Sequence, residues 1–188
     1  AGCQRMLDLI ENDQDLHGDA ATQLFNVTPA DEDWGQMRNV AKRANFSLIF
    51  GVGAEKLQGD IEAQTGLVLS LDETRRLVRD WNGLYPEFQQ AIRFHMNKVE
   101  ERMKSHPHGL GWVTVKNGER RWFQSGEETH KAFNQRVQPS LAQFGIDWWT
   151  AVENDLRHEL PDPKAGMVMV IHDSMVLLLP DDERGEAM

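Results

Sequence analysis

Residues 38–51 read RNVAKRANFSLIFG, a segment that carries two cations and two aromatic rings at a regular spacing. Four of its residues follow one another at intervals of four: Arg38, Lys42, Phe46 and Phe50. In a helix this spacing forms one stripe along a single face. Because arginine and lysine are rarely buried without a partner, the stripe favours a surface for a ligand that is charged at one end and flat at the other. A solvated amphipathic helix is the alternative that the spacing leaves open.

The segment resembles motif B of family A DNA polymerases (the DNA polymerase I type), a fingers-domain helix with the pattern R-x3-K-x3-F/Y-x3-Y-G. Arg38, Lys42, Phe46 and Gly51 match, whereas Phe50 keeps the ring of the usual tyrosine without its hydroxyl. The resemblance implies that Arg38 and Lys42 clamp a triphosphate, with Lys42 also a proton donor to pyrophosphate. It implies that Phe46 stacks on the incoming nucleotide and that Phe50 lies where the templating base enters. In the family, Phe at the position of Phe46 discriminates against dideoxynucleotides, whereas Tyr accepts them.

Three further segments of this family occur around motif B in the family's order. The first, residues 15–21, reads DLHGDAA and resembles the family's D-I-H-T-x-T-A. The resemblance implies that His17 faces the phosphates of the nucleotide, although Gly18 and Ala20 replace two threonines. A helix start with Asp15 as its N-cap is the alternative that these residues leave open on their own.

The second segment, residues 132–138, reads AFNQRVQ and resembles the A-x-N-x-x-x-Q-G helix of the palm domain. Asn134 and Gln138 are four residues apart, so they would share a helix face. The resemblance implies that they reach the DNA minor groove near the primer terminus, where amides can check geometry without reading bases. Pro139 replaces the family's glycine, and His130 stands where the family has arginine. An ordinary polar helix face is the alternative.

The third segment, residues 167–179, reads MVMVIHDSMVLLL and predicts two apolar strands around a polar interruption, hence a β-hairpin. It resembles motif C, usually H-D-E: His172 and Asp173 match, and Ser174 replaces the second carboxylate. The resemblance makes Asp173 a catalytic residue and a ligand for two Mg²⁺ ions, and it makes His172 a DNA contact. A plain hairpin turn is the alternative.

Residues 111–115 and 118–121 resemble the family's G-Y-V-x-T…G-R-R-R, and tryptophans flank their cations. We therefore expect Arg120 and Arg121 to contact the DNA backbone, because cations beside aromatic rings are typical of nucleic-acid surfaces. A solvated basic run is the alternative.

The chain has 188 residues and a formal net charge of -10, which taken globally argues against DNA binding, because phosphate contacts supply most non-specific affinity. The cations nevertheless gather in local clusters. Cys3 is the only cysteine, which excludes an intrachain disulfide and fits a reducing compartment. No apolar run is long enough to span a bilayer, so we expect no membrane association. We expect a cytoplasmic protein. The spacing between Arg121 and Asn134 is compressed relative to cellular relatives, which favours a phage source, and the location would then be the host cytoplasm.

The sequence pattern predicts an α+β fold in which helices dominate. The predicted elements are helices at 4–12, 17–25, 32–50, 53–65, 71–82 and 86–104, strands within 112–124, a helix at 129–158 and the motif C hairpin. Pro139 should kink or split the last helix.

We expect residues 1–110 to form a fingers-type helical region and residues 111–188 the C-terminal palm. Motif A, which carries the partner metal-binding aspartate, is expected upstream of Ala1. The chain is therefore interpreted as a fragment of a larger right-hand polymerase, inactive on its own.

The resemblance spans about residues 2–183 and implies a template-directed DNA polymerase that transfers a nucleotide from a dNTP to the primer 3′-OH by two-metal catalysis. The expected partners are primer–template DNA, dNTPs and a processivity factor, and a phage or other viral replicase is the expected source. A single-subunit RNA polymerase is one alternative, which Ser174 fits and the pair Asn45-Phe46 does not. A non-catalytic DNA-binding remnant of palm and fingers is the other, favoured by the acidic balance, the missing motif A and Ser174.

Overall fold

The computed structural model describes residues 2–160, 165–171 and 174–179. Over these residues helices dominate, and the strands form small antiparallel hairpins, so the predicted helix-rich α+β class is confirmed. The helices are α1 (Gln4–Glu11), α2 (Leu16–Phe25), α3 (Trp34–Leu48), α4 (Ala54–Thr65), α5 (Leu71–Leu84), α6 (Pro86–Ser105) and α7 (Ala132–Glu159), with a 3₁₀ helix at Gly126–Lys131. The strands are β1 (Gly111–Thr114), β2 (Arg120–Phe123), β3 (Gly166–Ile171) and β4 (Ser174–Leu178).

The helix that carries motif B ends earlier than the sequence predicts. α3 ends at Leu48, after which Phe50 N donates to Ser47 O at 3.2 Å and Gly51 N donates to Leu48 O at 3.0 Å. Gly51 has a φ of 76°, a left-handed conformation that glycine adopts without steric cost and that stops the helix. Phe50 therefore lies in the turn after α3, and the prediction that it continues the helical stripe is wrong.

The chain divides into two compact units, residues 1–113 with 121–134, and residues 114–120 with 135–188. In the first unit, one buried cluster joins α1, α3, α4 and α5. Its fully buried members include Val40 and Leu48 of α3, Leu57 and Ile61 of α4, and Trp81 and Tyr85 at the end of α5. Burying side chains of this size removes a large apolar area from water, which stabilises the arrangement of these helices.

A second buried cluster of the first unit consists of small side chains between α2 and α3: Ala20, Ala21 and Ala41, with Val27. Small side chains let two helix backbones approach closely. This packing brings the start of α2 beside the face of α3 that carries the motif B stripe. Ala20, which replaces a threonine of the family pattern, is fully buried here.

In the second unit, β3 and β4 pair as an antiparallel hairpin, with Ile171 opposite Ser174 and an irregularity between Met167 and Met169. The predicted motif C hairpin is therefore present. His172 and Asp173 themselves lie outside the described residues. Glu153 of α7 accepts a hydrogen bond from Met167 N at 2.7 Å, which ties β3 to the helix.

Pro139 lies inside α7 without splitting it, so that part of the prediction is wrong. Proline removes the N–H that would donate to the carbonyl four residues earlier, here that of Gln135. Gln135 is exposed, so water can satisfy this carbonyl. One residue further on, the Ser140 hydroxyl donates to Arg136 O at 2.7 Å. Solvent can thus take the place of the missing donor, and the helix continues through the proline at a local cost in stability.

Candidate functional site

The exposed face of α3 and the start of α2 form one surface in the first unit. Arg38, Lys42 and Phe46 lie four residues apart along α3, and His17 lies opposite them on α2. Phe46 is 52% exposed and Lys42 is exposed, so both are accessible to a ligand. The His17 and Phe46 rings are in contact, with centroids 5.6 Å apart and planes tilted by 49°. We call these four residues the α2–α3 surface.

Arg38 is held by a carboxylate from α2. Its Nε and Nη2 donate to the two carboxylate oxygens of Asp15 at 2.6 and 3.0 Å. Such two-point pairing fixes the plane of a guanidinium. The same carboxylate accepts from His17 N at 3.1 Å and so caps α2. The N-cap interpretation of Asp15 is therefore confirmed, and it coexists with the placement of His17 on the α2–α3 surface.

Gly18 leaves room for this carboxylate. A Cβ atom at Gly18 would lie 2.6 Å from Asp15 Oδ2, closer than real contacts allow, and 3.2 Å from the Trp34 ring, which is tighter than most real contacts. The departure from the family's threonine at this position thus accompanies the Asp15–Arg38 pair. The Arg38 guanidinium is the main cause that lowers the pKa of Asp15 to about 2.

His17 is joined through Asn45 to the buried Trp81 by two hydrogen bonds. The Trp81 indole N–H donates to Asn45 Oδ1 at 2.8 Å, and Asn45 Nδ2 lies 3.1 Å from His17 Nδ1. Trp81 is fully buried and Asn45 is 1% exposed. Buried polar groups are costly unless they are paired, and each of these has a partner.

The electrostatics of the α2–α3 surface favour an anion. Burial lowers the pKa of His17 below its ordinary value, and the charges of Arg38 and Lys42 lower it further, against the opposing effect of Asp15. The lowered pKa favours the neutral ring, which offers a hydrogen bond rather than a charge. One guanidinium, one ammonium and one imidazole N–H beside an open aromatic ring can bind a polyphosphate that carries a flat group.

The remaining predicted site residues lie elsewhere. Phe50 is half-buried in the turn after α3, and Arg120 and Arg121 are exposed on the β1–β2 hairpin. Asn134 is half-buried near the start of α7, and Gln138 is exposed further along it. No described group within the protein bonds to the buried Asn134 Oδ1. Their roles in binding stay predictions.

The hairpin region carries an aromatic cluster in the first unit. The Trp112 and Trp122 ring centroids are 5.3 Å apart, and the His106 ring contacts both tryptophans. The Arg102 guanidinium lies 4.8 Å from the Trp112 centroid, a distance at which a cation is attracted to an aromatic face. This packing holds the base of the hairpin against α6.

The second unit contains a pocket of about 370 Å³ that lies apart from the predicted nucleotide site in sequence. It is lined by Lys116, Arg136, Val137, Ser140, Leu141 and Phe144. Lys116 N donates to Ser140 Oγ at 3.1 Å, and the Lys116 ammonium lies 5.5 Å from the Phe144 centroid. None of the predicted functional residues lines it.

Across residues 2–160, 165–171 and 174–179, no group of three or more His, Cys, Asp or Glu side chains is arranged to hold a metal ion. Over the same residues no helix combines the length and apolar character needed to cross a membrane. The predicted metal ligand Asp173 lies outside this part of the chain.

Sequence reasoning did not assign a site role to Asn45 or Trp81. Both are distant in sequence from His17, so their connection to it depends on tertiary packing. A weak indication existed in Asn45 itself, because asparagine is a poor helix former and lies beside the stripe in the middle of α3. A polar residue in that position needs a partner.

The chain belongs to DNA polymerase family A, whose family model matches residues 1–188. This family is metal-dependent. Among its relatives, the thermostable DNA polymerase I of Thermus thermophilus is 25% identical over 191 residues, which cover 97% of this chain and 21% of that protein. DNA polymerase I of Bacillus subtilis (strain 168) is 24% identical over 189 residues, 96% of this chain and 20% of that protein.

A solved structure supports the same fold. The POL domain of Pol1 from M. smegmatis, in complex with DNA primer-template and dNTP, superposes with a TM-score of 0.67 at 19% identity. The match covers 95% of this chain and 30% of that one. The chain spans about a fifth of the length of the curated relatives it matches.

Proposed function

We propose that this chain supplies the nucleotide-binding and primer-positioning parts of a template-directed DNA polymerase, which transfers a nucleotide from a dNTP to the primer 3′-OH. The observation that carries the proposal is the α2–α3 surface, where cations, an imidazole and an exposed ring share one face. The relatives named above are DNA polymerases, so they do not favour the alternative function of a single-subunit RNA polymerase. The proposal concerns the complete polymerase, given the fraction of the relatives that the chain covers.

In the proposed mechanism, Arg38 and Lys42 bind the triphosphate. Their charges stabilise the negative charge that develops on the leaving pyrophosphate, and Lys42 can also donate a proton to it. Arg38 is oriented in advance by Asp15, which reduces the ordering cost of binding. His17 donates a hydrogen bond to a phosphate oxygen, and Phe46 stacks on the nucleotide.

The DNA-facing residues form a second part of the proposal. We assign Arg120 and Arg121 to the DNA backbone and Asn134 and Gln138 to the minor groove at the primer terminus. The buried Oδ1 of Asn134 has no described protein partner, which is consistent with an amide that bonds to a ligand. In this proposal residues 1–110 form the fingers-type region and residues 111–188 the palm.

A metal completes the proposed chemistry. Magnesium prefers hard oxygen ligands, and a carboxylate at Asp173, between the paired strand ends Ile171 and Ser174, is a donor of that type. We propose that Asp173 holds Mg²⁺ and that His172 contacts DNA. When bound, two ions would activate the primer oxygen and neutralise charge on the leaving oxygens. The polymerase would act in the cytoplasm, while a phage source and a processivity factor stay predictions.

The test compares Arg38→Ala and Lys42→Ala with Arg43→Ala in primer extension by the complete polymerase. Arg43 is a matched control, because it lies on the same helix and its guanidinium donates to Gln64 Oε1 at 2.8 Å rather than lying on the stripe. We expect kcat/KM for dNTP to fall by roughly two to three orders of magnitude for Lys42→Ala. Arg43→Ala should stay near the wild-type value.

A different result would change the assignment of the stripe. If Arg38→Ala and Lys42→Ala weakened DNA binding and left the dependence on dNTP concentration unchanged, the stripe would be a DNA-backbone face. If neither variant changed primer extension, the proposed function of this surface would be wrong.

A further inference from the structure

The two hydrogen bonds that join Trp81, Asn45 and His17 determine which nitrogen of the His17 imidazole carries the proton. An indole N–H can only donate a hydrogen bond, so the Asn45 atom 2.8 Å from Trp81 Nε1 must be the amide oxygen. The Asn45 NH₂ group therefore faces His17. An NH₂ group can only donate, so His17 Nδ1, 3.1 Å away, must be the acceptor and carry no proton.

We propose that Trp81 and Asn45 are positioning residues that hold His17 in the Nε2–H tautomer, so that it presents a hydrogen-bond donor to a phosphate oxygen of the nucleotide. The inference rests on the proposed function for its ligand, but the tautomer itself follows from the contacts. The other tautomer would present an unprotonated Nε2, whose lone pair repels a phosphate oxygen.

The burial of the hydrogen bonds that join Trp81, Asn45 and His17 makes the assignment of the Asn45 oxygen and nitrogen stable. Trp81 is fully buried and contacts the Tyr85 and Phe88 rings, with centroids 5.1 and 5.8 Å away, which restricts the direction of its N–H. Rotation of the Asn45 amide would set its NH₂ against the indole N–H and its oxygen against Nδ1. Two buried donors would then face one another, an arrangement that costs free energy.

The tautomer of His17 matters only while the imidazole is neutral. A protonated imidazole would donate from both nitrogens, and no tautomer would be selected. Burial and the neighbouring charges of Arg38 and Lys42 lower the pKa of His17 against the opposing effect of Asp15, which favours the neutral ring. A neutral ring among these cations adds a donor to the phosphate site without adding repulsion toward Arg38 and Lys42.

The first experiment reads the tautomer directly by long-range ¹H–¹⁵N NMR of the histidine-labelled protein at pH 7. We expect the His17 Nδ1 shift of an unprotonated nitrogen and the Nε2 shift of a protonated one. Asn45→Asp places an acceptor opposite Nδ1 and should reverse the assignment to Nδ1–H. Asn39→Asp, at an exposed asparagine of the same helix, is the matched control and should leave His17 unchanged.

A second variant covers the case in which Asn45→Asp does not fold. Trp81→Phe keeps an aromatic ring and removes the indole N–H, so the Asn45 amide loses the contact that orients it. Both tautomers of His17 should then be populated. A wild-type protein with His17 as Nδ1–H, or a Trp81→Phe variant with the wild-type tautomer, would overturn the proposal.

The functional readout is primer extension by the complete polymerase. We expect Asn45→Asp to raise the KM for dNTP about tenfold, equivalent to about 1.4 kcal/mol, with the affinity for primer–template unchanged. An unchanged KM in a variant whose tautomer has reversed would overturn the role of the tautomer in nucleotide binding. That result is distinct from a failure of the proposed function, which the Arg38 and Lys42 variants test independently.

Discussion

The guanidinium of Arg38 and the carboxylate of Asp15 form a two-point ion pair that joins α3 to the N-terminus of α2, with N···O distances of 2.6 and 3.0 Å. Asp15 also caps α2 through His17 N. One carboxylate thus fixes both the start of a helix and the orientation of the arginine that the proposed function assigns to the triphosphate. An incoming phosphate would have to approach Arg38 in the presence of this negative charge.

Asp15→Asn separates the two roles of this carboxylate, because asparagine caps helices as well as aspartate does but carries no charge. The pKa of Asp15 is lowered to about 2 from its ordinary 3.8, so its stabilising effect is complete above about pH 4 and is lost as the pH falls toward about 2. The pair is partly exposed, so we expect a loss of no more than about 1 kcal/mol at pH 7. Urea unfolding of both proteins across this pH range measures it.

The difference in stability between the two proteins should shrink as the pH falls from about 4 to about 2. Asp33→Asn is the control for losing one carboxylate, because Asp33 lies at the start of α3 and its side chain makes no capping hydrogen bond. A difference for Asp15→Asn that stays constant down to pH 2 would show that the ion pair does not stabilise the fold.

The helices and the motif C hairpin were predictable from the sequence, because apolar periodicity and turn residues are local features. The end of α3 was not, since the last turn tightens at Ser47 and Phe50 leaves the helix before Gly51. The contacts that support the α2–α3 surface were also not predictable from the sequence. Asn45 lies 28 residues from His17 and 36 from Trp81, and no local pattern connects them.

Pro139→Ala should stabilise α7. Alanine restores an N–H that can donate to the Gln135 carbonyl, and proline is about 3 kcal/mol less favourable than alanine in a helix interior. We expect a gain of about 1–3 kcal/mol and a higher thermal midpoint, measured by circular dichroism. Pro86→Ala is the matched control, because Pro86 is the first residue of α6, where proline removes no helical hydrogen bond. A lower midpoint for Pro139→Ala would show that the proline is required for the native path of α7.

Asp173→Ala should abolish nucleotide transfer in the complete polymerase and leave primer–template affinity largely unchanged. The proposed role of Asp173 is to hold metal, and removing an anion does not weaken contact with a polyanion. Asp155→Ala, at an exposed carboxylate of α7, is the control. Single-turnover extension and DNA binding by anisotropy measure the two effects. If the Asp173→Ala variant kept a substantial share of wild-type turnover, the assignment of motif C would be wrong.

Phe46 offers the most specific prediction, because its ring is 52% exposed on the α2–α3 surface and leans on His17. In Phe46→Tyr the added hydroxyl can occupy the place of a missing substrate 3′-OH, and an unmet hydrogen bond in a closed site costs about 1–3 kcal/mol. Since about 1.4 kcal/mol is tenfold, relative dideoxynucleotide incorporation should rise by roughly tenfold or more, with ordinary dNTP use little changed. Termination ladders from the two complete polymerases measure the ratio. An unchanged ratio would mean that Phe46 does not face the sugar.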